Sequence, residues 1–311
     1  MVEVGNWLAL LGLLIVGKSL LGLIWGLFKR KVDIEEFKYG WAVITGATDG
    51  IGKGLAVELH RRGFNLVLIS RNPGKLEQVR AELLQGSTEA QVVCVPVDFS
   101  TCHHDPIPFF QAIEEMLRPY EISVLINNVG VMYLGPLHKM AWKEVEEMAA
   151  INIYPQTFLT RLLLPSMTVR YTATKQRSLI INLSSTASIL PLPMMSLYGA
   201  TKAFNDWLSR ALSYECEPAI QIVSFRPGVV NTNLPKAANV KGSGPGVIET
   251  EAFSRAAMNC LNQRTCSPHW VHSLMAWGME NIAWPEFMIP VVFWGWKKFS
   301  TDWDQGFKKI D

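Results

Sequence analysis

Six short β-rich runs, Trp41–Thr45, Asn65–Ile69, Gln91–Val95, Ile122–Ile126, Ser178–Leu183 and Ile220–Phe225, alternate with amphipathic stretches through the middle of the chain. The runs read as strands and the stretches between them as helices. Helices are expected at Ile51–Arg62, Gly74–Leu84, Pro108–Leu117, Trp142–Met167 and Leu197–Glu215, with a later one near Ile248–Leu261. Alternation of this kind implies a parallel sheet covered on both faces. The expected fold class is therefore α/β, a doubly wound parallel sheet in three layers. No internal repeat or low-complexity tract interrupts it, and Asn239–Gly246 reads as a loop of the sort that often forms a mobile lid.

One such domain with an appendage accounts for 311 residues and 34.9 kDa. The chain is 49% hydrophobic and 18% charged, against about 25% charged for a soluble domain, which excludes disorder and points to membrane contact. Its 29 basic and 27 acidic residues leave a net charge of +2 without a long basic stripe, so nucleic acid is not an expected partner. Five cysteines, odd in number and without a C-x-x-C pair, argue against a disulfide framework or a thiolate zinc site. A reducing compartment follows for the working domain.

From Trp7 to Phe28 the chain holds one charge, Lys18, in 22 residues. As a helix rising 1.5 Å per residue this run is about 33 Å long, enough to span a bilayer. Glu3 precedes it and Lys29, Arg30 and Lys31 follow, which makes it a retained anchor with the rest of the chain in the cytosol. Lys18 costs about 2.5–3.5 kcal/mol near mid-bilayer and must snorkel or find a partner. Gly22 and Gly26 form a G-x-x-x-G, read here within a plain membrane span. At the other end, Lys308 and Lys309 stand fourth and third from the C-terminus. They are either a solvated tail or a receptor-read retrieval address of the endoplasmic reticulum, and the second agrees with the charge bias of the anchor.

Between His269 and Phe299, Trp270, Trp277, Trp284, Trp294 and Trp296 are interleaved with Met, Phe and Ile. Tryptophans favour the boundary of lipid and water, so this segment either contacts the membrane, roofs a lipid-binding cleft, or packs on the sheet. His269 and His272 lie three apart there, without the third ligand a metal site needs. The chain thus divides into an anchor and basic linker (1–38), a catalytic domain (39–265) and an aromatic-rich C-terminal segment with the dilysine tail (266–311).

Thr45-Gly46-Ala47-Thr48-Asp49-Gly50-Ile51-Gly52 ends the first expected strand and opens the first helix. Glycines there let the backbone approach a pyrophosphate at a helix N-terminus, which makes the sheet Rossmann-type. A tight turn would explain the glycines but not the strand before and the helix after. An NAD site would place Asp or Glu at the end of the second strand, about 20 residues on. Here that place reads Ser70-Arg71. A hydroxyl and a guanidinium suit a 2′-phosphate and favour NADPH, unless Arg71 is merely a surface arginine.

Thr45-Gly46-x-x-x-Gly50-Ile51-Gly52, Asn127-Asn128-Val129-Gly130 and Tyr198-x-x-x-Lys202, in this order, resemble the short-chain dehydrogenase/reductase family. The resemblance covers roughly Tyr39 to Thr232. With the anchor, the Ser185 to Lys202 block and the HWVHSLMAW stretch, it is similar to the microsomal branch of very-long-chain 3-oxoacyl-CoA reductases and membrane 17β-hydroxysteroid dehydrogenases. It implies Tyr198 as proton donor, Lys202 one turn later beside it, and Ser185 as carbonyl-binding serine, with Ser184 and Ser188 as neighbours easily confused with it. Asn152 is implied as the helix asparagine that holds a proton-relay water. A lysine ammonium beside the cationic nicotinamide is expected to draw the phenol down from its usual value near 10.

Cofactor contacts are implied at Gly46, Thr48, Asp49, Gly50, Ile51, Gly52, Ser70, Arg71, Asp98, Asn127, Tyr198, Lys202, Val230 and Thr232. Asp98 and Asn127 could equally be strand-end turns. Gly228 departs from the branch, where an aromatic often stands. The function so implied is NADPH-dependent reduction of a 3-oxoacyl-CoA in microsomal fatty-acid elongation, with a keto-steroid as the alternative. The rivals are a retinoid or other lipid carbonyl reductase and a non-catalytic scaffold, which would usually lack the catalytic tyrosine or lysine. A homodimer through the helices of Asn152 and Tyr198, and elongation partners, are implied by the resemblance alone.

Overall fold

In the computed structural model of the chain, residues 32–86, 89–234 and 246–281 are described, with positions 17 and 290. The chain divides into two compact units, Met1–Val32 and Asp33–Asp311, and the second holds everything that follows. Asp33 opens it with a capping box, its carboxylate accepting from Glu35 N while the Glu36 side chain returns to the Asp33 amide. This 3₁₀ turn buries Ile34 and Phe37.

The strands are β1 (Trp41–Thr45), β2 (Asn65–Ser70), β3 (Val92–Pro96), β4 (Ile122–Asn127), β5 (Ser178–Leu183), β6 (Ile220–Phe225) and β7 (Thr265–Cys266). The described helices are α1 (Gly50–Arg61), α2 (Pro73–Leu84), α3 (Pro106–Leu117), α4 (Trp142–Thr174), α5 (Ser196–Glu215), α6 (Thr250–Ala257) and α7 (Trp270–Asn281). All seven strands are parallel in the order β3-β2-β1-β4-β5-β6-β7, a Rossmann-type α/β sheet. Every residue of β4 and β5 is buried, as a sheet covered by helices on both faces requires. The strand order reverses between β1 and β4, which opens a crevice at their carboxyl ends, the usual ligand position in such a sheet.

Four features differ from the sequence reading. Helix α4 continues past Met167 to Thr174, with the hydroxyls of Thr168, Thr172 and Thr174 bonded back to the carbonyls four residues earlier. Helix α6 is shorter than expected, because Ile248 is held extended in a parallel bridge to Val230. A seventh strand, β7, straddles the expected boundary at 265/266 and pairs with β6, so the sheet reaches into the C-terminal segment. Cys260 and Cys266 form a disulfide, contrary to the expectation drawn from an odd cysteine count; the turn between α6 and β7 brings their Cα atoms to 6.3 Å. Cys94, Cys102 and Cys216 are free.

Among the described residues no helix is long and apolar enough to cross a membrane. Apart from position 17, the span expected at Trp7–Phe28 lies outside the described residues, as do most of Asn239–Gly246, Trp284, Trp294, Trp296 and the Lys308-Lys309 tail.

Candidate active site

The turn after β1 is built by close backbone packing. Gly46 and Gly50 have φ of +65° and +51°, the left-handed region where a side chain is strained. A β-carbon on Gly52 would collide with the Gly46 carbonyl and the Asn128 side chain, and one on Gly50 would meet Thr232 at 2.8 Å. Asn128 locks the turn, donating from Nδ2 to the carbonyls of Thr45 (2.9 Å) and Gly46 (3.2 Å). Thr45 Oγ1 in turn accepts from the amides of Asn128 and Val129. The result is a closely packed turn that leads to the N-terminus of α1.

Asp49 caps that helix. One carboxylate oxygen accepts from Gly50 N at 2.7 Å and the other from Asn233 Nδ2 at 2.7 Å. Thr48 and Ser70 share a hydroxyl hydrogen bond of 2.9 Å across the ends of β1 and β2. Arg71 follows, exposed to solvent. Asp98, beyond β3, uses one oxygen to cap a short 3₁₀ turn at Ser100 N, 3.0 Å away, and is otherwise exposed. Thr48, Asp49, Ser70, Arg71 and Asp98 therefore follow the carboxyl ends of the neighbouring strands β1, β2 and β3.

Those residues line a cavity of about 270 Å³ at the ends of β4, β5 and β6. Its polar end holds Ser185, Tyr198, Lys202 and Asn128, and its walls include Met132, Leu134, Leu192, Met195, Leu234 and Met275. Ser185 is the second residue past β5, where its Oγ accepts from Ala187 N at 3.1 Å. Tyr198 and Lys202 lie one turn apart on α5 and face the same way, with Lys202 Nζ 5.8 Å from the centre of the tyrosine ring. Lys202 Nζ donates to the Leu183 carbonyl at 2.9 Å, which ties α5 to the end of β5. Val230, Thr232 and Ile51 also line the cavity, so the β6 loop and the glycine turn meet there.

Burial governs the ionisation of Tyr198 and Lys202. Tyr198 is pushed up to about 12 by desolvation, against a lowering hydrogen bond from Ser185. Lys202 is brought down to about 8 by desolvation. Desolvation of the two side chains disfavours the charged form of each. Burial therefore holds Tyr198 in its protonated form.

Asn127 and Asn152 do not line the cavity. Asn127 Nδ2 donates to Asn182 Oδ1 at 2.8 Å and Thr160 Oγ1 at 3.1 Å within the core. The Asn152 amide is taken up by Val131, accepting from its N at 2.8 Å and donating to its O at 3.0 Å, and by Thr201 Oγ1 at 3.0 Å. Both belong to a buried polar chain. Asn182 Nδ2 continues it to Ser209, Ser209 to the Asn205 carbonyl, Asn205 Nδ2 to the Asn152 carbonyl, and Thr201 to the Tyr198 carbonyl. This chain clamps α4 to α5 and so positions Tyr198. Asn128, Gly130 and the methionines of the wall were not singled out by the sequence. Asn128 is flagged only by standing in the Asn-Asn-Val-Gly run, and the methionines carry no signal that separates them from core.

The short chain dehydrogenase family profile matches residues 40–243. The chain belongs to the short-chain dehydrogenase family. It is an NAD(P)-dependent oxidoreductase, and the family's glycine turn and Tyr-x-x-x-Lys pair are the groups just described. Among its relatives is a very-long-chain 3-oxoacyl-CoA reductase of Danio rerio, 36% identical over 86% of this chain and 82% of the relative. Hydroxysteroid dehydrogenase-like protein 1 of Gallus gallus is 34% identical, over 78% of this chain and 72% of the relative. A solved short-chain dehydrogenase from Sphingobium yanoikuyae in complex with NADPH superposes with a TM-score of 0.65 at 29% identity, covering 74% of this chain and 87% of that one.

Proposed function

We propose that this protein reduces the 3-keto group of a long-chain 3-oxoacyl-CoA with NADPH, a step of fatty-acid elongation. The observation that carries the reading is the Ser185–Tyr198 hydroxyl pair at the polar end of an otherwise apolar cavity. Relatives in zebrafish, duck and mouse named as very-long-chain 3-oxoacyl-CoA reductases, at 34–36% identity, support the substrate.

The residues present fit NADPH. The Gly46–Gly52 turn packs against Asn128 and its own backbone too closely for a β-carbon, and this tight turn places the N-terminus of a 12-residue helix at the carboxyl end of β1, where a pyrophosphate would be held. Arg71 stands exposed beside the Thr48–Ser70 hydroxyl pair, where a 2′-phosphate would find a guanidinium instead of a carboxylate. When bound, NADPH supplies the hydride. Ser185 holds the substrate carbonyl oxygen by donating a hydrogen bond, and Tyr198 gives that oxygen its proton as the alcohol forms. Lys202, charged at neutral pH, steadies the phenolate left behind. The Met and Leu walls exclude water and accept an aliphatic chain. Burial keeps Tyr198 in the protonated form that can donate to the carbonyl oxygen.

A keto-steroid substrate is the second reading, supported by the chicken relative named for hydroxysteroid dehydrogenase. NADPH oxidation with both substrates offered in parallel separates the two. We further place the enzyme in the endoplasmic reticulum membrane with its active site in the cytosol; the apolar run at 7–28, the basic cluster at 29–31 and the Lys308-Lys309 tail support this reading.

A further inference from the structure

Away from the catalytic cavity, His103, His104 and Glu146 bring three metal-ligating side chains together. The two histidines come just after the 3₁₀ turn Phe99–Thr101 that Asp98 caps, and Glu146 lies in the second turn of α4, 43 residues along the chain from His103. Buried side chains fasten that turn to the helix. Phe99 is buried, and so is Cys102, whose Sγ lies 4.0 Å from the Ala150 carbonyl. The thiol of Cys102 is thus taken up by the core, and the imidazoles of the next two residues are left at the surface of α4. His103 Nε2 sits 3.0 Å from Glu146 Oε1. The rings of His103 and His104 meet edge to face with their centres 4.2 Å apart. One ligating atom from each of the three residues lies within 4.8 Å of the other two.

We propose that these three side chains form a binding site for a divalent zinc-type ion, held by two imidazole nitrogens and one carboxylate oxygen, with water completing the coordination. Ligands about 2.0–2.1 Å from a tetrahedral zinc ion stand about 3.3 Å from one another, and the His103–Glu146 pair is close to that separation before any ion arrives. His104 is exposed, and its imidazole makes no hydrogen bond among the described residues. Rotation about its side-chain bonds therefore brings the third ligand in without moving the backbone. A hydrogen-bonded pair would account for His103 and Glu146, but not for a second imidazole kept within reach of the same point. Two nitrogens and one oxygen suit zinc better than magnesium or calcium, which take oxygen donors. The ion would join the segment that follows Asp98 to α4. Glu147, the next residue of that helix, accepts from the Tyr133 hydroxyl at 2.7 Å, so the same turn also holds the segment whose Met132 and Leu134 line the cavity. None of the three ligands lines the cavity. The site is therefore independent of which carbonyl is reduced.

The test is zinc binding by the full chain, free of any histidine tag, solubilised in detergent and stripped of metal with a chelator. Equilibrium dialysis against zinc is run on the unsubstituted protein, on His104→Ala and on Glu146→Gln, both at exposed positions. Cobalt(II) is added to a second set as a spectroscopic probe, and thermal unfolding is followed with and without zinc. The expected result is one zinc ion per unsubstituted chain, bound at least about tenfold more weakly by each variant. Cobalt should give visible d–d absorption without the near-ultraviolet band of a cobalt–thiolate bond. The three metal-free proteins should unfold at similar temperatures, with zinc raising that of the unsubstituted chain most. Equal zinc affinity in all three proteins would overturn the proposal, and so would a cobalt–thiolate band, which would place the ion on the cysteines. An unsubstituted chain that retains no zinc overturns it outright, whatever the variants do.

Discussion

The ring of His272 lies against the backbone of Gly228: a β-carbon at 228 would meet the ring's Cδ2 at 2.6 Å. His272 Nε2 also bonds the Gly246 carbonyl at 3.2 Å, so one side chain from α7 fastens the loop after β6 to the chain entering α6. This contact explains why glycine stands where the resembling branch often has an aromatic: the space is filled from α7 instead. Gly228→Ala should then overpack the site and cost about 1–3 kcal/mol, while His272→Ala should cost a similar amount by leaving a void. In the double variant the two losses should fall short of their sum by about 1 kcal/mol. Thermal unfolding of the four proteins checks this, and strict additivity would show that the contact carries no energy.

Lys202 loses its proton near pH 8 instead of near the ordinary lysine value. If its ammonium steadies the phenolate, kcat/KM for reduction should be level at pH 6–7 and fall about tenfold per pH unit above 8. Lys202→Arg keeps its charge throughout this range and should flatten the decline, whatever its absolute rate. A profile still level at pH 10 in the unsubstituted enzyme would remove the ammonium from the mechanism.

Arg71→Glu should weaken NADPH and spare NADH. Removing a charge-assisted contact worth about 1.5–3 kcal/mol shifts the ratio of kcat/KM values by about 10- to 100-fold towards NADH. An unchanged ratio would assign cofactor choice to other residues.

Serine at both 308 and 309 should release the protein from the endoplasmic reticulum, as followed by microscopy and by glycan processing of a lumenal tag. Continued retention would transfer that role to the anchor or to a partner.

Much of this site is visible in the chain before folding. β1, β5 and β6 end where their aliphatic runs end, since nothing local competes with the strand there. The extension of α4 was hidden because threonine is a weak helix former; its hydroxyls bond within the helix, and Arg170 ties the last turns to Glu121 and to the Ile122 carbonyl. Asn127 and Asn128 illustrate a deeper limit. Successive residues at a strand end face opposite ways, so one enters the polar core and the other the glycine turn, and two identical letters do not say which. The wall methionines are legible only once α4, α5 and α7 are packed around one space.

The most direct measurement is NADPH oxidation by the detergent-solubilised full chain, with a long-chain 3-oxoacyl-CoA and a 17-keto-steroid offered in parallel and Tyr198→Phe as control. The account predicts turnover of the thioester at least tenfold above the steroid, lost in the control while NADPH binding persists. Turnover retained by Tyr198→Phe, or no turnover of the thioester by the unsubstituted enzyme, would contradict it.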